Sequence, residues 1–340
     1  MKIISILNQK GGCGKTTTAV NLSSALAREG YKTLLIDFDP QAHTTFSLGM
    51  NNSKGICELI EDYLNTGSPS LDSYITPRTE NLFVVTSSLG LSAIEHKLNS
   101  REDKLYILYK ILGPAASLYD YCIIDCPPNL GVLSLNATFA GNYILTPFLA
   151  CDLSLQGINV LNQIIEMMAE AHPTTLSFFY LLTQYDRRFR YSLEFLERAR
   201  SMLKNKLLPI IIRTNINLRE SQSLGKTIFE HKPYSRGSYD YTKLAEKIID
   251  ITQQIKWTRL FLKNKKFKEV HVVGDFNQWQ KNEKYKMKKI DTETWTISIP
   301  LKKGKYHYKF FADEFWLTDP LNSFEENDSF GGKNSVISIR

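Results

Sequence analysis

A glycine-rich segment near the start of the sequence, NQKGGCGKTTT at residues 8–18, most constrains what this chain can fold into. An apolar run at residues 3–7 precedes it and predicts a strand, and a helical pattern follows at residues 19–28. Glycines let backbone N–H groups turn towards an anion, and the following helix directs its positive end to the same point. The order of strand, glycine loop and helix therefore predicts a phosphate-binding loop rather than a glycine-rich turn that binds nothing.

The loop departs from the common pattern G-x-x-x-x-G-K-[ST], because residue 9 is glutamine and a second lysine, Lys10, precedes the glycines. The sequence KGGCGKT resembles the deviant Walker A motif of the ParA/MinD family of ATPases. The resemblance implies ATP and Mg²⁺ as cofactors and a homodimer in the ATP state, in which Lys10 of each chain reaches the partner's nucleotide. The implied nucleotide-binding residues are Gly11, Gly12, Cys13, Gly14, Lys15, Thr16 and Thr17.

Acidic residues follow two apolar runs further along the chain. Asp37 and Asp39 come after residues 33–36, and Asp125 ends the run that begins at residue 121. Open α/β sheets bind ligands at the carboxyl ends of their strands, so these acids are site candidates, with a solvated turn as the alternative for residues 37–41. The sequence DFDPQ resembles the ParA branch of the family. That resemblance implies that Asp39 orients or activates the attacking water and that Asp37 supports a magnesium shell.

Within this resemblance, Asp125 and the Thr16 hydroxyl complete the magnesium site, because Mg²⁺ prefers oxygen ligands and keeps several waters. The implied catalytic residues are Lys10, Lys15 and Asp39.

Buried strands alternate with helical patterns through the first 255 residues. Further strands are predicted at 82–85, 121–125, 143–147 and 177–183, and helices at 56–63, 92–98, 101–112, 153–171 and 241–255. The alternation predicts a P-loop α/β domain with a doubly wound, mainly parallel sheet over residues 1–255.

Arginines cluster at residues 187–190 and 213–219. Both segments resemble the ParA branch, where such arginines contact DNA without sequence specificity. The resemblance implies DNA contacts by Arg187, Arg188, Arg190 and Arg219. Basic side chains on one face gain affinity by releasing phosphate counterions, although a solvated helix face with internal ion pairs is the alternative. Residues 1–255 carry a net charge of only +1, so DNA binding there requires a local patch.

From residue 256 onward, short alternating strands with aromatic residues predict a small all-β, immunoglobulin-like sandwich over residues 256–340. The sequences VGDFNQW, GKYHYKFFAD and WLTDP resemble the glycogen-binding module of AMP-activated kinase β subunits, carbohydrate-binding family 48. The resemblance implies α-1,4-glucan contacts by Trp279, Lys309, Trp316, Phe330 and Asn334. Phe330 stands where the family carries a leucine. A structural sandwich with its tryptophans in the core is the alternative.

The composition, with 43% hydrophobic and 23% charged residues in 340, is typical of a soluble chain of about two domains. No apolar run approaches the ~20 residues of a membrane helix, and no signal peptide is evident. The five cysteines predict reduced thiols. We therefore expect a cytoplasmic protein without a membrane partner, and the ParA resemblance implies that it is associated with the nucleoid. A MinD-like membrane cycle and a cluster-bridging reductase are disfavoured, since neither a terminal basic amphipathic helix nor suitably placed cysteines are present.

Together, the two resemblances imply an ATPase that binds DNA non-specifically, positions or partitions a cargo linked to glycogen, and hydrolyses ATP when a partner protein stimulates it. Two alternatives stay open. One is a glucan-responsive regulatory ATPase, and the other is a DNA-partition ATPase whose sandwich only contacts other proteins.

Overall fold

The computed structural model describes residues 1–51, 54–67, 69–172, 176–253, 256–301, 304–328 and 331–339, without the side chains of 169–171 and 256–257. The chain divides into two compact units. The first comprises Met1–Glu170 and Leu176–Ile249, and the second contains Asp250–Arg340.

The first unit is built around one sheet of eight strands within the described residues. They are β1 (Lys2–Ile6), β2 (Thr33–Asp37), β3 (Thr76–Pro77), β4 (Leu82–Val85), β5 (Tyr121–Asp125), β6 (Tyr143–Leu149), β7 (Ser177–Tyr185) and β8 (Leu207–Arg213). Their order is β3-β4-β2-β5-β1-β6-β7-β8, and every pair except β3–β4 is parallel. Strands β2 and β5 are fully buried, as expected of a parallel sheet covered on both faces.

The register of the central strands explains why the candidate acids meet. Strand β5 lies between β1 and β2, and Asp125 at its end is paired with Ile6 on one side and with Asp37 on the other. The loop after β1 and the acids after β2 and β5 therefore share one edge of the sheet, the edge at which such sheets bind ligands.

Eight α-helices lie between the strands of the first unit, and three more follow its last strand, within the described residues. They are α1 (Lys15–Arg28), α2 (His43–Ser47), α3 (Ile56–Thr66), α4 (Leu91–Asn99), α5 (Ile107–Leu112), α6 (Val132–Ala140), α7 (Asp152–Ala171), α8 (Arg190–Leu203), α9 (Ile216–Ser223), α10 (Ile228–His231) and α11 (Arg236–Gln253). Among the described residues, no helix combines the length and the apolar character that a membrane crossing needs.

Several elements of the first unit differ from the sequence predictions, among them α5, α6 and β8. The helix predicted at 101–112 begins only at Ile107, because the preceding residues form a turn in which Asp103 accepts from Arg101 and Lys110. Helix α6 was not predicted. Strand β8 was not predicted either, and it contains Pro209, a residue that central strands exclude. Strand β8 lies at the edge of the sheet, and Pro209 is exposed there. No described strand lies beyond β8, so the outer side of the strand needs no N–H group from residue 209.

The second unit is all-β. Its strands are β9 (Lys256–Lys263), β10 (Val270–Gly274), β11 (Lys288–Lys289), β12 (Thr294–Leu301), β13 (Gly304–Ala312), β14 (Phe315–Leu317), β15 (Glu325–Asn327) and β16 (Lys333–Ile339). They form one antiparallel sheet in the order β10-β13-β16-β15, with β14 on β13, and a second in the order β11-β12-β9.

The two sheets of the second unit share one hydrophobic core. Leu260 and Ile297 from the smaller sheet join Val272 and Phe310 from the larger one. Trp295 also lies in this core, whereas Trp316 is 53% exposed. The predicted fold class, a parallel P-loop α/β sheet followed by a small all-β sandwich, is confirmed.

Candidate functional site

The glycine loop joins the end of β1 directly to the first turn of α1. Gly12 and Gly14 have φ values of +70° and +88°, in the left-handed region that favours glycine. A Cβ atom at Gly11 or Gly12 would meet no protein atom within 4 Å, so the loop borders open space. No side chain caps the start of α1. The backbone N–H groups at this helix end are therefore available to an anion.

Two side chains near the carboxyl end of β7 hold the loop in place. The Thr183 hydroxyl donates to the carbonyl oxygen of Cys13 at 2.8 Å, and the Gln184 amide donates to that of Gly12 at 2.8 Å. Sequence reasoning did not assign a role to Thr183 or Gln184. The available signal was their position at the carboxyl end of a predicted strand.

A cavity of about 850 Å³ lies over the loop. Seven of the residues predicted for the nucleotide site line it: Gly11, Gly12, Gly14, Lys15, Thr16, Thr17 and Asp39. The side chain of Cys13 is buried below the loop and does not line the cavity. Lys15 is also largely buried, and its ammonium lies 3.4 Å from the carbonyl oxygen of Lys10.

Lys10 is directed differently from Lys15. Its side chain does not line the cavity over its own loop. Instead, its Nζ donates to the Sγ atom of Cys151 at 2.9 Å. Burial raises the pKa of the Cys151 thiol, but hydrogen bonds from Lys10 and Ser154 outweigh it and lower the pKa overall. The two lysines of the motif therefore have different surroundings, since Lys15 lines the cavity and Lys10 contacts Cys151.

Asp125 and Thr16 form an arrangement of oxygen atoms suited to a magnesium ion. Oδ2 of Asp125 accepts hydrogen bonds from the hydroxyls of Thr16 and Thr44, both at 2.8 Å. Oδ1 is buried and accepts no hydrogen bond from the described residues. Burial raises the pKa of Asp125 to about 6. A buried carboxylate oxygen without a partner next to a threonine hydroxyl fits a hard divalent cation.

Asp37 lies beside this group, and its carboxylate is held by its own neighbours. Oδ2 accepts from the backbone N–H and the hydroxyl of Thr45, at 2.8 and 2.6 Å. Burial, and then the charge of Asp125, raise the pKa of Asp37 to about 7. Asp39 lines the cavity, and its Oδ1 accepts from the backbone N–H of Gln41 at 2.9 Å. Sequence reasoning missed Thr45 and its neighbour Thr44, because they belong to the short helix α2, which was not predicted.

The four arginines predicted to contact DNA are all exposed. Arg188 forms an ion pair with Asp186, and Arg190 with Glu194. In the part of the chain that the structure describes, neither Arg187 nor Arg219 forms an ion pair. Arg219 lines the cavity over the glycine loop, and the other three do not. Internal ion pairing, the alternative considered for these side chains, thus applies to two of the four.

A second cavity, of about 930 Å³, lies in the all-β unit. Four predicted glucan contacts line it: Trp279, Lys309, Trp316 and Asn334. The ring centroids of the two tryptophans are 6.5 Å apart, with 43° between the ring planes. Neither tryptophan belongs to the hydrophobic core of this unit, which argues against the alternative in which the tryptophans are core residues. Phe330 lies outside the described residues.

A polar network that sequence reasoning missed supports this cavity. Asp275 accepts from the indole N–H of Trp279 at 3.0 Å and contacts the Nδ1 of His307 at 2.9 Å. The Nε2 of His307 lies 2.9 Å from Glu326. Hydrogen bonds to Glu326 and to Asp275 raise the pKa of His307. Lys309 donates to Asp328 at 2.6 Å.

Comparison with known families matches both units. The family described as an AAA domain matches residues 1–178. The family described as the glycogen recognition site of AMP-activated protein kinase matches residues 254–340.

Individual relatives match the first unit. The chain is 34% identical over 253 residues to the chromosome-partitioning ATPase Soj of Treponema pallidum, covering 73% of this chain and 97% of that protein. A plasmid partition protein of Borrelia burgdorferi, solved with AMPPNP, is 27% identical with a TM-score of 0.60, covering 74% of this chain and 97% of that one. Cobyrinic acid a,c-diamide synthase of Mycobacterium smegmatis, solved with an ATP analogue and magnesium, is 25% identical with a TM-score of 0.62, covering 73% and 94%. The chain therefore belongs to the ParA/Soj family of P-loop ATP hydrolases and carries a glycogen-recognition module.

Proposed function

We propose that this protein is a Mg²⁺-dependent ATPase that dimerises on ATP, holds DNA without sequence preference and links that DNA to an α-glucan such as glycogen. One observation carries the proposal. A single chain contains both a two-lysine phosphate loop and a cavity lined by a pair of tryptophans that are not core residues. The two parts are proposed to act as modules of residues 1–255 and 256–340.

ATP binding follows from the loop and its helix. The backbone N–H groups before α1 and the ammonium of Lys15 neutralise phosphate charge. Thr16 and Asp125, with Asp37 beside them in support, would hold the magnesium ion, which would supply further charge neutralisation. Asp39 faces the cavity and is the proposed residue that orients the attacking water. Phosphoryl transfer needs positioning and electrostatic stabilisation more than covalent chemistry, and these side chains provide both.

Dimerisation is proposed from the direction of Lys10. Its ammonium contacts Cys151 and lies outside the cavity over its own loop. Lys10 therefore does not line the nucleotide site of its own chain. In the proposed dimer, Lys10 of each chain contacts the nucleotide of the other. The ATP-bound dimer would then present two sets of exposed arginines, including Arg187 and Arg219, to a DNA backbone.

Glucan binding is proposed from the second cavity. Trp279 and Trp316 offer apolar faces to glucose rings, and Lys309 and Asn334 offer polar groups to sugar hydroxyls. The T. pallidum relative is named as a chromosome-partitioning ATPase, and the matched family is described by its recognition of glycogen. The cargo proposed here is therefore glycogen or a glucan-associated enzyme, distributed along the nucleoid in the cytoplasm, with hydrolysis stimulated by a partner protein.

Retention of the full-length protein on DNA-coated beads tests the proposed ATPase cycle. We expect retention with ATP and Mg²⁺, and loss with ADP or in Lys15→Ala. Lys54→Ala, which changes an exposed lysine outside the cavity and outside both arginine segments, is the matched control for the loss of one positive charge. Retention that is equal with ATP and ADP would refute the DNA-binding part. Glucan that changes ATP turnover in the absence of DNA would favour the glucan-responsive regulator instead.

A further inference from the structure

One group of ionisable side chains in the all-β unit belongs to neither cavity. Glu269 precedes β10, His271 lies within β10, and Glu283 belongs to the segment that covers the free edge of that strand. One ligand atom from each of the three residues lies within 4.8 Å of the other two. The glucan cavity is lined by other residues, so this group has no role in the proposed function.

The surroundings of His271 show that one nitrogen of its ring lacks a hydrogen-bond partner within the described residues. Its side chain is 99% buried, at 1% exposure. Its Nδ1 lies 3.1 Å from the carbonyl oxygen of Asn282, which can only accept, so Nδ1 carries a proton. In the neutral ring, Nε2 therefore presents a lone pair, and it makes no hydrogen bond with the described residues. Nε2 faces Oε1 of Glu269 at 3.3 Å, so two acceptors point at each other.

Two acceptors at this distance require a cation between them, either a proton on Nε2 or a metal ion. The spacing fits a metal, because two ligands bonded at ~2.1 Å in a tetrahedral zinc site lie ~3.4 Å apart. A histidine that donates its other N–H to a backbone carbonyl is also the usual arrangement around a bound metal. Glu283 is 82% exposed and on a flexible side chain, so it can move closer to complete a third ligand.

We propose that Glu269, His271 and Glu283 form a binding site for a divalent transition-metal ion of the zinc class. Imidazole nitrogen with carboxylate oxygen favours such ions over Mg²⁺. The ion would join β10 to the segment that covers it. Lys286 is its competitor, because its ammonium lies 2.7 Å from Glu269 Oε1 and 3.6 Å from Glu283. Lys281 contacts the other oxygen of Glu269, so the ion would have to displace only Lys286 from Oε1.

Titration of the full-length protein with Co²⁺, in the presence of Mg²⁺ and ADP, tests the site. We expect one ion per chain with visible d–d absorption, no thiolate charge-transfer band, and displacement by Zn²⁺. Glu283→Gln should weaken binding by about 10-fold or more, because removing a direct ligand costs at least as much as removing a residue that only orients one. Lys286→Met should tighten it, because it removes the competing ammonium. Glu314→Gln, an exposed acid outside the group, is the matched control and should bind as the parent does.

Glu283→Gln and Lys286→Met change exposed or half-exposed side chains, so we expect both variants to fold as the parent does. Equal Co²⁺ affinity in the parent, Glu283→Gln and Lys286→Met would overturn the proposal. A thiolate charge-transfer band would overturn it too, because the ion would then be bound by cysteine. Absence of binding in the parent and in Lys286→Met would mean that a proton fills the gap between His271 and Glu269.

Discussion

Replacing Trp316 by alanine should weaken glucan binding without unfolding the all-β unit. An indole side chain offers about 250 Å² of surface. In this structure 53% of Trp316 is exposed, and a sugar ring stacked on one face would cover about half of that part. At ~25 cal/mol per Å², the ~65 Å² removed from water corresponds to about 1.6 kcal/mol, or a factor of about 15 in affinity.

Calorimetric titration of the full-length protein with β-cyclodextrin measures this loss. The matched control is Phe324→Ala, which removes an aromatic ring that is 74% exposed in the same unit but does not line the cavity. We expect about 15-fold weaker binding for Trp316→Ala, and parental binding for Phe324→Ala. Equal affinity in all three proteins would refute the stacking argument, and an equal loss in both variants would show that the effect is not local to the cavity.

Lys10→Ala should retain ATP binding but sediment as a monomer with a non-hydrolysable ATP analogue, because Lys10 does not line its own cavity. Replacing Arg187 and Arg219 by alanine should weaken DNA retention and lower the log–log salt slope by about one per arginine. The pKa of His307 is raised, so its stabilising contribution is complete below about pH 6.5 and is lost as pH rises through the higher folded pKa. Cyclodextrin affinity should fall as pH rises from about 6.5 through that folded pKa, because Asp275 then holds Trp279 less firmly. The affinity of His307→Gln should not depend on pH over this range.

The nucleotide site could be predicted largely because its signals are local in sequence. The glycines and lysines of residues 10–17 are contiguous, and Asp125 ends a strand that is apolar throughout. Thr44 and Thr183 could not be assigned in the same way, since each reaches the site from a distant part of the chain. Thr44 is 81 positions from Asp125, and Thr183 is 170 positions from Cys13.

In the all-β unit, too, residues within local motifs could be predicted, whereas contacts between distant residues could not. Trp279 and Trp316 were found from the motifs around them, and the structure brings both to one cavity. The link from Asp275 through His307 to Glu326 escaped prediction, because it crosses strands whose pairing a single sequence does not specify. Strand β8 was missed as well, and it contains Pro209, which is compatible with a strand only at an edge.

The central claim is that the ATP-bound dimer joins α-glucan to DNA. Retention of fluorescent glycogen by the full-length protein on a DNA-coated surface under flow tests it most directly. We predict that glycogen is retained with a non-hydrolysable ATP analogue and Mg²⁺, and is released when ADP replaces the analogue. Glycogen that stays equally with ADP, or that fails to stay while the protein itself is held on the DNA, would contradict the account.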